Sequence, residues 1–156
     1  MSNMTDAFTE RLRALGAEGE VVEFDTEVPT AAAAAEKLGC EVGAIANSLV
    51  FTADGDPLLV IASGAHRVDT RGLERSLGVR KIRRASPEFV AEATGQPVGG
   101  VGPVGHPQAI RTVVDRALAA HPTVWAGAGS KHAMFPTNFA ELLRITGGSA
   151  ADVAQS

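Results

Sequence analysis

Gly99-Gly100-Val101-Gly102-Pro103-Val104-Gly105-His106-Pro107 holds four glycines and two prolines in nine residues. Such a stretch cannot continue a helix and makes a poor central strand. It reads as a loop whose backbone lies open, with N–H groups available to a ligand. Pro103 fixes its own φ at about −65° and stiffens the loop. A braced, glycine-rich loop suits an oxyanion, a carboxylate or a phosphate; a plain surface loop is the competing reading. The stretch also decides which fold to reject. Gly100-x-Gly102-x-x-Gly105 matches the dinucleotide-binding pattern, which needs a preceding strand, a helix opening on it and an acidic residue about 20 positions on. Here Pro107 follows at once, and Ala109-Ile110-Arg111-Thr112-Val113-Val114 alternates like a strand. Too little chain remains to build a nucleotide-binding sheet.

Upstream of the loop, local signals are regular. Thr5 can cap a first helix carrying Phe8, Leu12 and Leu15, closed by Gly16 or Gly19. Residues 20–25 alternate like a strand. Thr30 is placed to cap an alanine-rich helix that Gly39 ends. Residues 47–52 and 57–63 are apolar, β-branched runs separated by Ala53-Asp54-Gly55-Asp56, a hairpin signal. Asp69 caps a short helix stopped by Gly78, residues 79–83 read as a strand, and Ser86-Pro87 starts a helix stopped by Gly95.

Downstream, residues 110–114 and 123–126 read as strands joined by a helical turn at 116–120, with one more short strand at 133–136. Thr137 caps the last helix, whose buried stripe is Phe139, Leu142, Leu143 and Ile145, and Gly147-Gly148 ends it. The tail from Ser149 is expected to fray. Helices alternate with strands, two strand pairs look like hairpins, and no linker or repeat divides the chain. The expectation is one domain over residues 1–156, of mixed α+β class with a mixed β-sheet surrounded by helices.

Composition narrows the function classes. At 156 residues the chain can bury a sizeable core. No apolar run approaches the roughly 18 residues of a membrane span, and the first residues lack a signal-peptide pattern. The single cysteine, Cys40, excludes an internal disulfide and fits a reducing cytoplasm. A net charge of −4 argues against wrapping nucleic acid over a large surface, so DNA is not an expected partner. Against that average, Arg67, Arg71, Arg75, Arg80, Lys81, Arg83 and Arg84 are accompanied only by Asp69 and Glu74. This basic segment is either a solvated face with a charge-protected edge strand or a small patch that meets phosphates.

Several chemistries find no support. The four histidines lack zinc-site spacing and no second cysteine assists them, so no metal and no cofactor is expected. Gly127-Ala128-Gly129-Ser130-Lys131 approaches a phosphate loop, yet lacks its first glycine and the Ser or Thr after the lysine. No Gly-x-Ser-x-Gly elbow occurs. Cys40 reads as a packed residue rather than a nucleophile. His106, inside the glycine loop, is the best single titratable candidate.

Taken in order, these segments resemble the YbaK/prolyl-tRNA synthetase-associated domain family, the stand-alone aminoacyl-tRNA editing deacylases, from about Val22 to Thr146. The likeness rests on the run Thr30–Gly39, on Ile45-Ala46-Asn47-Ser48-Leu49-Val50-Phe51, on Ala62-Ser63-Gly64, on Ser86-Pro87-Glu88 and on Thr94-Gly95. It continues through the Gly-x-x-x-Pro element, Gly99 to Pro103, and the turn Gly127 to Gly129. The resemblance implies a mixed sheet, partly closed like a barrel. It also implies metal-free hydrolysis of the ester joining a wrong amino acid to its tRNA, typically proline tRNA.

By that resemblance Asn47 is a catalytic position, and the open loop adds Gly100, Val101 and Gly102, whose backbone N–H groups are placed to stabilise the oxyanion. The substrate-binding positions are Thr30, Ser63, Gly64, Gly99, Pro103, His106, Gly127 and Gly129. Arg80, Lys81, Arg83 and Arg84 would meet the acceptor end of tRNA, and an aminoacyl-tRNA synthetase is a further candidate partner. Relatives carry a lysine central to activity where this chain has Asn47. An amide hydrogen-bonds a phosphate, hydroxyl or carbonyl without the lysine's charge. Three functions therefore stand: an editing hydrolase acting in trans, a non-catalytic module keeping the tRNA-end pocket, and a hydrolase of another small aminoacyl compound.

Overall fold

The structure, a computed structural model, describes residues 3–28 and 30–154. Its centre is a hairpin. β2 (Ile45–Ala53) and β3 (Asp56–Ser63) pair antiparallel from Ala46↔Ser63 to Ala53↔Asp56. Asp54 and Gly55 turn the chain at φ 51° and 91°, the two left-handed residues that match the twist of the strands they join.

Around the hairpin the described residues form an eight-stranded mixed sheet in the order β1 (Val22–Glu23), β7 (Ala133–Thr137), β6 (Val124–Gly127), β2, β3, β5 (Arg111–Asp115), β8 (Ser149–Ala151), with β4 (Ile82–Arg84) attached to β2. β5 (Arg111–Asp115) runs parallel to β3, and β8 (Ser149–Ala151) parallel to β5. On the other side β6 (Val124–Gly127) runs parallel to β2, β7 (Ala133–Thr137) antiparallel to β6, and the two-residue β1 (Val22–Glu23) closes that edge. The path is mixed, as expected from the sequence, and ends at β1 and β8.

Among the described residues five α-helices pack on this sheet: α1 (Asn3–Ala14), α2 (Ala31–Leu38), α3 (Thr70–Leu77), α4 (Pro87–Thr94) and α5 (Phe139–Thr146). Local hydrogen bonds start three of them as the sequence suggests. Thr30, Asp69 and Ser86 accept from the N–H groups of Ala33, Gly72 and Phe89, and Gly39, Gly78 and Gly95 end the helices in the left-handed region.

β3 is buried on both faces, which explains its unbroken apolar run. Leu59 and Ile61 join one core with Phe8 and Leu12 of α1, Val114, Phe135 and Leu142. Leu58 and Val60 join a second with Phe51, Leu73, Ile82 and Val153.

Several boundaries differ from the sequence reading, among them the strand expected over 79–83, which forms only over Ile82–Arg84. α1 begins at Asn3, so Thr5 lies inside it rather than at its cap. The strand expected over 20–25 shrinks to β1. Thr137 ends β7 and its hydroxyl donates to Glu141, while Asn138 caps α5 by accepting from the Glu141 N–H. The tail expected to fray instead forms β8, and Val153 is fully buried with its carbonyl accepting from the Asp69 N–H. Residues 155–156 lie outside the described residues.

Candidate functional site

The sheet is interrupted beside β2. β3 covers one edge of the strand throughout, but the other edge is shared. β6 pairs with it only at Ile45 and Ala46, and β4 (Ile82–Arg84) only from Phe51 to Ala53. Asn47 to Val50 therefore have a sheet neighbour on one side only. Next to this gap lies a cavity of about 530 Å³, within the range that takes small ligands. Its walls come from the whole open stretch of β2, from Thr30, Ala31 and Ala34 at the start of α2, and from Pro87 and Val90 of α4. Gly99, Val101, Gly127 and Ser130 complete them. The lining is mainly aliphatic, with Arg84 its one charge among the described residues. Val98, 50% exposed, adds an apolar rim.

Asn47 lines this cavity half-buried, and its side-chain amide makes no hydrogen bond among the described residues. Two donors and an acceptor thus remain for a ligand. Sequence reading missed its neighbour Ser48, whose Oγ is buried without a partner at the same place.

The glycine loop divides its residues between two sides. Gly99, at φ 87°, and Val101 face the cavity. Gly100 and Gly102 do not, and their N–H groups are taken: Gly100 donates to the Pro97 carbonyl at 2.9 Å and Gly102 to Gln96 Oε1 at 2.8 Å. The expected oxyanion role for these two amides is therefore corrected; the Val101 N–H alone of the three has no partner among the described residues. The two glycines are required by packing. A Cβ at Gly100 would lie 2.8 Å from the Lys131 nitrogen, and one at Gly102 would strike the Phe8 ring and lie 2.7 Å from the Gly127 carbonyl oxygen. Gln96, 7% exposed and unanticipated, holds the loop by also donating from Nε2 to the Val104 carbonyl. Pro103 is buried and does not reach the cavity.

Other expected positions also fall elsewhere. His106 and Gly129 line a smaller cavity of about 400 Å³ beneath α1, with Phe8 and Arg11. The His106 Nε2 lies 2.9 Å from the Gly102 carbonyl, which requires the proton on that nitrogen. Burial holds its imidazole below the ordinary value near 6.5, opposed by the bond to Gly102 and assisted by Arg11. Ser63 and Gly64 are structural. The Ser63 hydroxyl donates to the Gly43 carbonyl and its N–H donates to Asp115, a buried carboxylate that also meets His66 Nδ1 at 2.8 Å. A Cβ at Gly64 would lie 2.5 Å from the Val42 carbonyl oxygen. Thr30 and Gly127 reach the cavity, although the Thr30 oxygen is engaged as the α2 cap. Burial pushes the Cys40 thiol up, and it packs against the apolar cluster of Val28, Ala34, Ala35, Ile45 and Met134.

The basic segment stays free. Arg80, Lys81, Arg83 and Arg84 are exposed, and their side chains make no ion pair or hydrogen bond among the described residues. The N–H groups of Arg80 and Lys81 bond the Asp54 carboxylate and hold its pKa down. Arg84 alone of the four reaches the cavity. Among the described residues no three His, Cys, Asp or Glu side chains gather closely enough to hold a metal ion, and no helix is long and apolar enough to cross a membrane.

This combination, a mixed sheet with a small-molecule cavity at an interrupted strand and a braced glycine loop on its wall, agrees with what the chain resembles. Residues 25–145 match the model of the aminoacyl-tRNA editing domain, and the chain belongs to that family. Within it the chain is of the YbaK type. It superposes with a TM-score of 0.93 on the crystal structure of a protein proposed to be a trans-editing enzyme for prolyl tRNA synthetase. The two are 36% identical, covering 100% of this chain and 99% of the other. It is also 35% identical to the uncharacterized protein YwhH of Bacillus subtilis, over 74% of this chain and 73% of that one. A further likeness, 40% over 70 residues, is to the proline–tRNA ligase of Maridesulfovibrio salexigens; it takes in 45% of this chain and only 12% of the ligase.

Proposed function

We propose that this protein is a trans-acting deacylase, a single folded unit that hydrolyses the ester of mischarged tRNA, with proline tRNA the first substrate to test, in the cytoplasm. The observation that carries the reading is the unbonded Asn47 amide on the wall of an aliphatic cavity whose rim holds the free guanidinium of Arg84. Apolar walls suit an amino-acid side chain, an amide suits the ester or ribose hydroxyls, and a cation suits the adjoining phosphate. Membership of the editing family and the likeness to a protein linked to prolyl tRNA synthetase support the same substrate class. A synthetase that produces the mischarged tRNA is the natural partner.

The chemistry needs no strong base or metal. Water adds to the ester carbonyl, the carbon–oxygen bond to the terminal ribose breaks, and the water proton ends on the ribose oxygen. The ribose hydroxyl beside the ester helps deliver the water. The protein orients the carbonyl and stabilises the tetrahedral oxyanion, a role in which one donor contributes about 10²–10³ in rate. Asn47 Nδ2 and the Val101 N–H are the donors left free to take it. Selectivity comes from cavity size, which separates substrates differing by one methylene by about 1–3 kcal/mol.

The test is hydrolysis of a panel of mischarged tRNAs, proline tRNA first, with EDTA present. At least one should be deacylated well above its spontaneous rate. Binding without turnover on every member would favour the non-catalytic module, to which the absent lysine also points. Activity on small aminoacyl esters alone would favour the third function, and activity lost in EDTA but restored by zinc would overturn the metal-free chemistry.

A further inference from the structure

The gap beside β2 can be read atom by atom, because main-chain groups alternate along a strand. On one side, the Ile45 carbonyl accepts from the Gly64 N–H, in register with β3. On the other, the Asp54 N–H donates to the Lys81 carbonyl, in register with β4. Pairing with β3 is continuous from Ala46 to Ala53, so no bulge breaks the alternation. Odd-numbered residues therefore turn their N–H and C=O toward β3 and even-numbered ones toward the opposite edge. Ala46 is met there by β6 and Thr52 by β4. Between them Ser48 and the Val50 N–H turn toward this edge beside the cavity that both residues line, where neither β6 nor β4 pairs with them among the described residues, while the Phe51↔Arg84 register sets the Val50 carbonyl against the Ala85 N–H. Ser48 is half-buried although its Oγ is sealed, so its accessible surface belongs to main chain and Cβ.

We infer that this gap seats the aminoacyl group of the substrate as a one-residue strand, opposite Leu49 and parallel to β2. In a parallel ladder one residue donates its nitrogen proton to the carbonyl before its opposite number and accepts from the N–H after it. The α-ammonium group then donates to the Ser48 carbonyl, and the ester carbonyl accepts from the Val50 N–H. The orientation follows from charge. Parallel to β2 the ester end points toward β4, where Arg84 stands beside Phe51 and Arg83 beside Thr52, so tRNA phosphates meet the free arginines. The reverse orientation would carry them toward β6, whose strand Val124–Gly127 holds no charge. The open stretch of four residues spans about 13 Å, enough for one amino acid and its ester. The Val50 N–H thereby joins Asn47 and Val101 at the developing oxyanion.

The inference rests on the deacylase reading, and its test separates the two. Amide hydrogen exchange is followed residue by residue, free and with 3′-alanylamino-3′-deoxyadenosine and its seryl counterpart, stable amide analogues of the charged tRNA terminus. In the free protein Ser48 and Val50 should exchange much faster than Asn47 and Leu49, whose N–H groups bond β3. A bound analogue should slow Val50 about tenfold or more and leave the Ser48 amide fast. Replacing the Val50 peptide N–H by an ester oxygen should weaken analogue binding about threefold to tenfold. Protection at Ser48 instead of Val50, binding without protection, or no binding by either analogue overturns the inference. Deacylation without Val50 protection sinks the seat alone; Val50 protection without deacylation keeps the seat and sinks the enzyme.

Discussion

Asn47 and His106 carry most of the residue-scale argument, and the structure assigns them to different cavities. Asn47 has its amide free beside the gap, so Asn47→Ala should slow single-turnover deacylation at least tenfold while leaving the melting temperature nearly unchanged. Asn47→Lys restores the charge that the resemblance implies for relatives and should raise turnover on their substrates; if both variants match the wild type, Asn47 is structural. Burial outweighs the bond to Gly102 and, with Arg11, holds the His106 pKa below its ordinary value. Its folded value lies below the unfolded one, so the unfolded chain binds the extra proton. This contribution to stability is full above about pH 6.5 and is lost as pH falls below it. His106→Ala, whatever it costs in packing, should flatten the stability profile measured between pH 7 and 5. Catalysis should be affected little, because the imidazole lies outside the main cavity.

At the scale of elements, local chemistry decides what sequence can reveal. The caps at Thr30, Asp69 and Ser86 were legible because each is a bond reaching three residues ahead. Thr137 and Asn138 were confused because both are capping residues, and the strand claims the first. The gap in the sheet left no local signal, since it depends on Ile45↔Trp125 and Phe51↔Arg84. The glycine loop was legible as a loop, but not which of its amides the fold engages: Gly100 and Gly102 donate within the protein, while the Val101 N–H has no partner among the described residues. Its Gly100 and Gly102 are glycines because residues from α1 and from 127–131 press against them. Gly102→Val, which loop logic alone would expect to spare the fold, should instead cost several kcal/mol through the collision with Phe8 and Gly127. Chemical denaturation checks this. A native-like midpoint would show that the loop yields and that the packing argument fails.

For the whole molecule, the proposed function requires an acidic chain to meet a polyanion through one narrow face. Arg80, Lys81, Arg83 and Arg84 lie along a short edge, so the proposed contact would neutralise few phosphates. Replacing all four by Gln should weaken tRNA binding and flatten its log–log salt dependence by roughly 0.7 for each single-strand phosphate no longer neutralised. An unchanged slope in a folded variant would return these residues to the role of a solvated edge. The mixed sheet was readable because hairpin and crossover signals alternate along the chain. The tail was not, because Ser149–Ala151 is small and short and gains its place only by pairing with β5. The central claim is that the cavity beside β2 is where the ester is held. Single-turnover deacylation of the best mischarged tRNA by an Ala85→Trp variant tests it most directly, since Ala85 lines the cavity outside the proposed donors and an indole there would occupy much of the space. The rate should fall more than tenfold with the melting temperature preserved. A wild-type rate in the folded variant would place the reaction elsewhere.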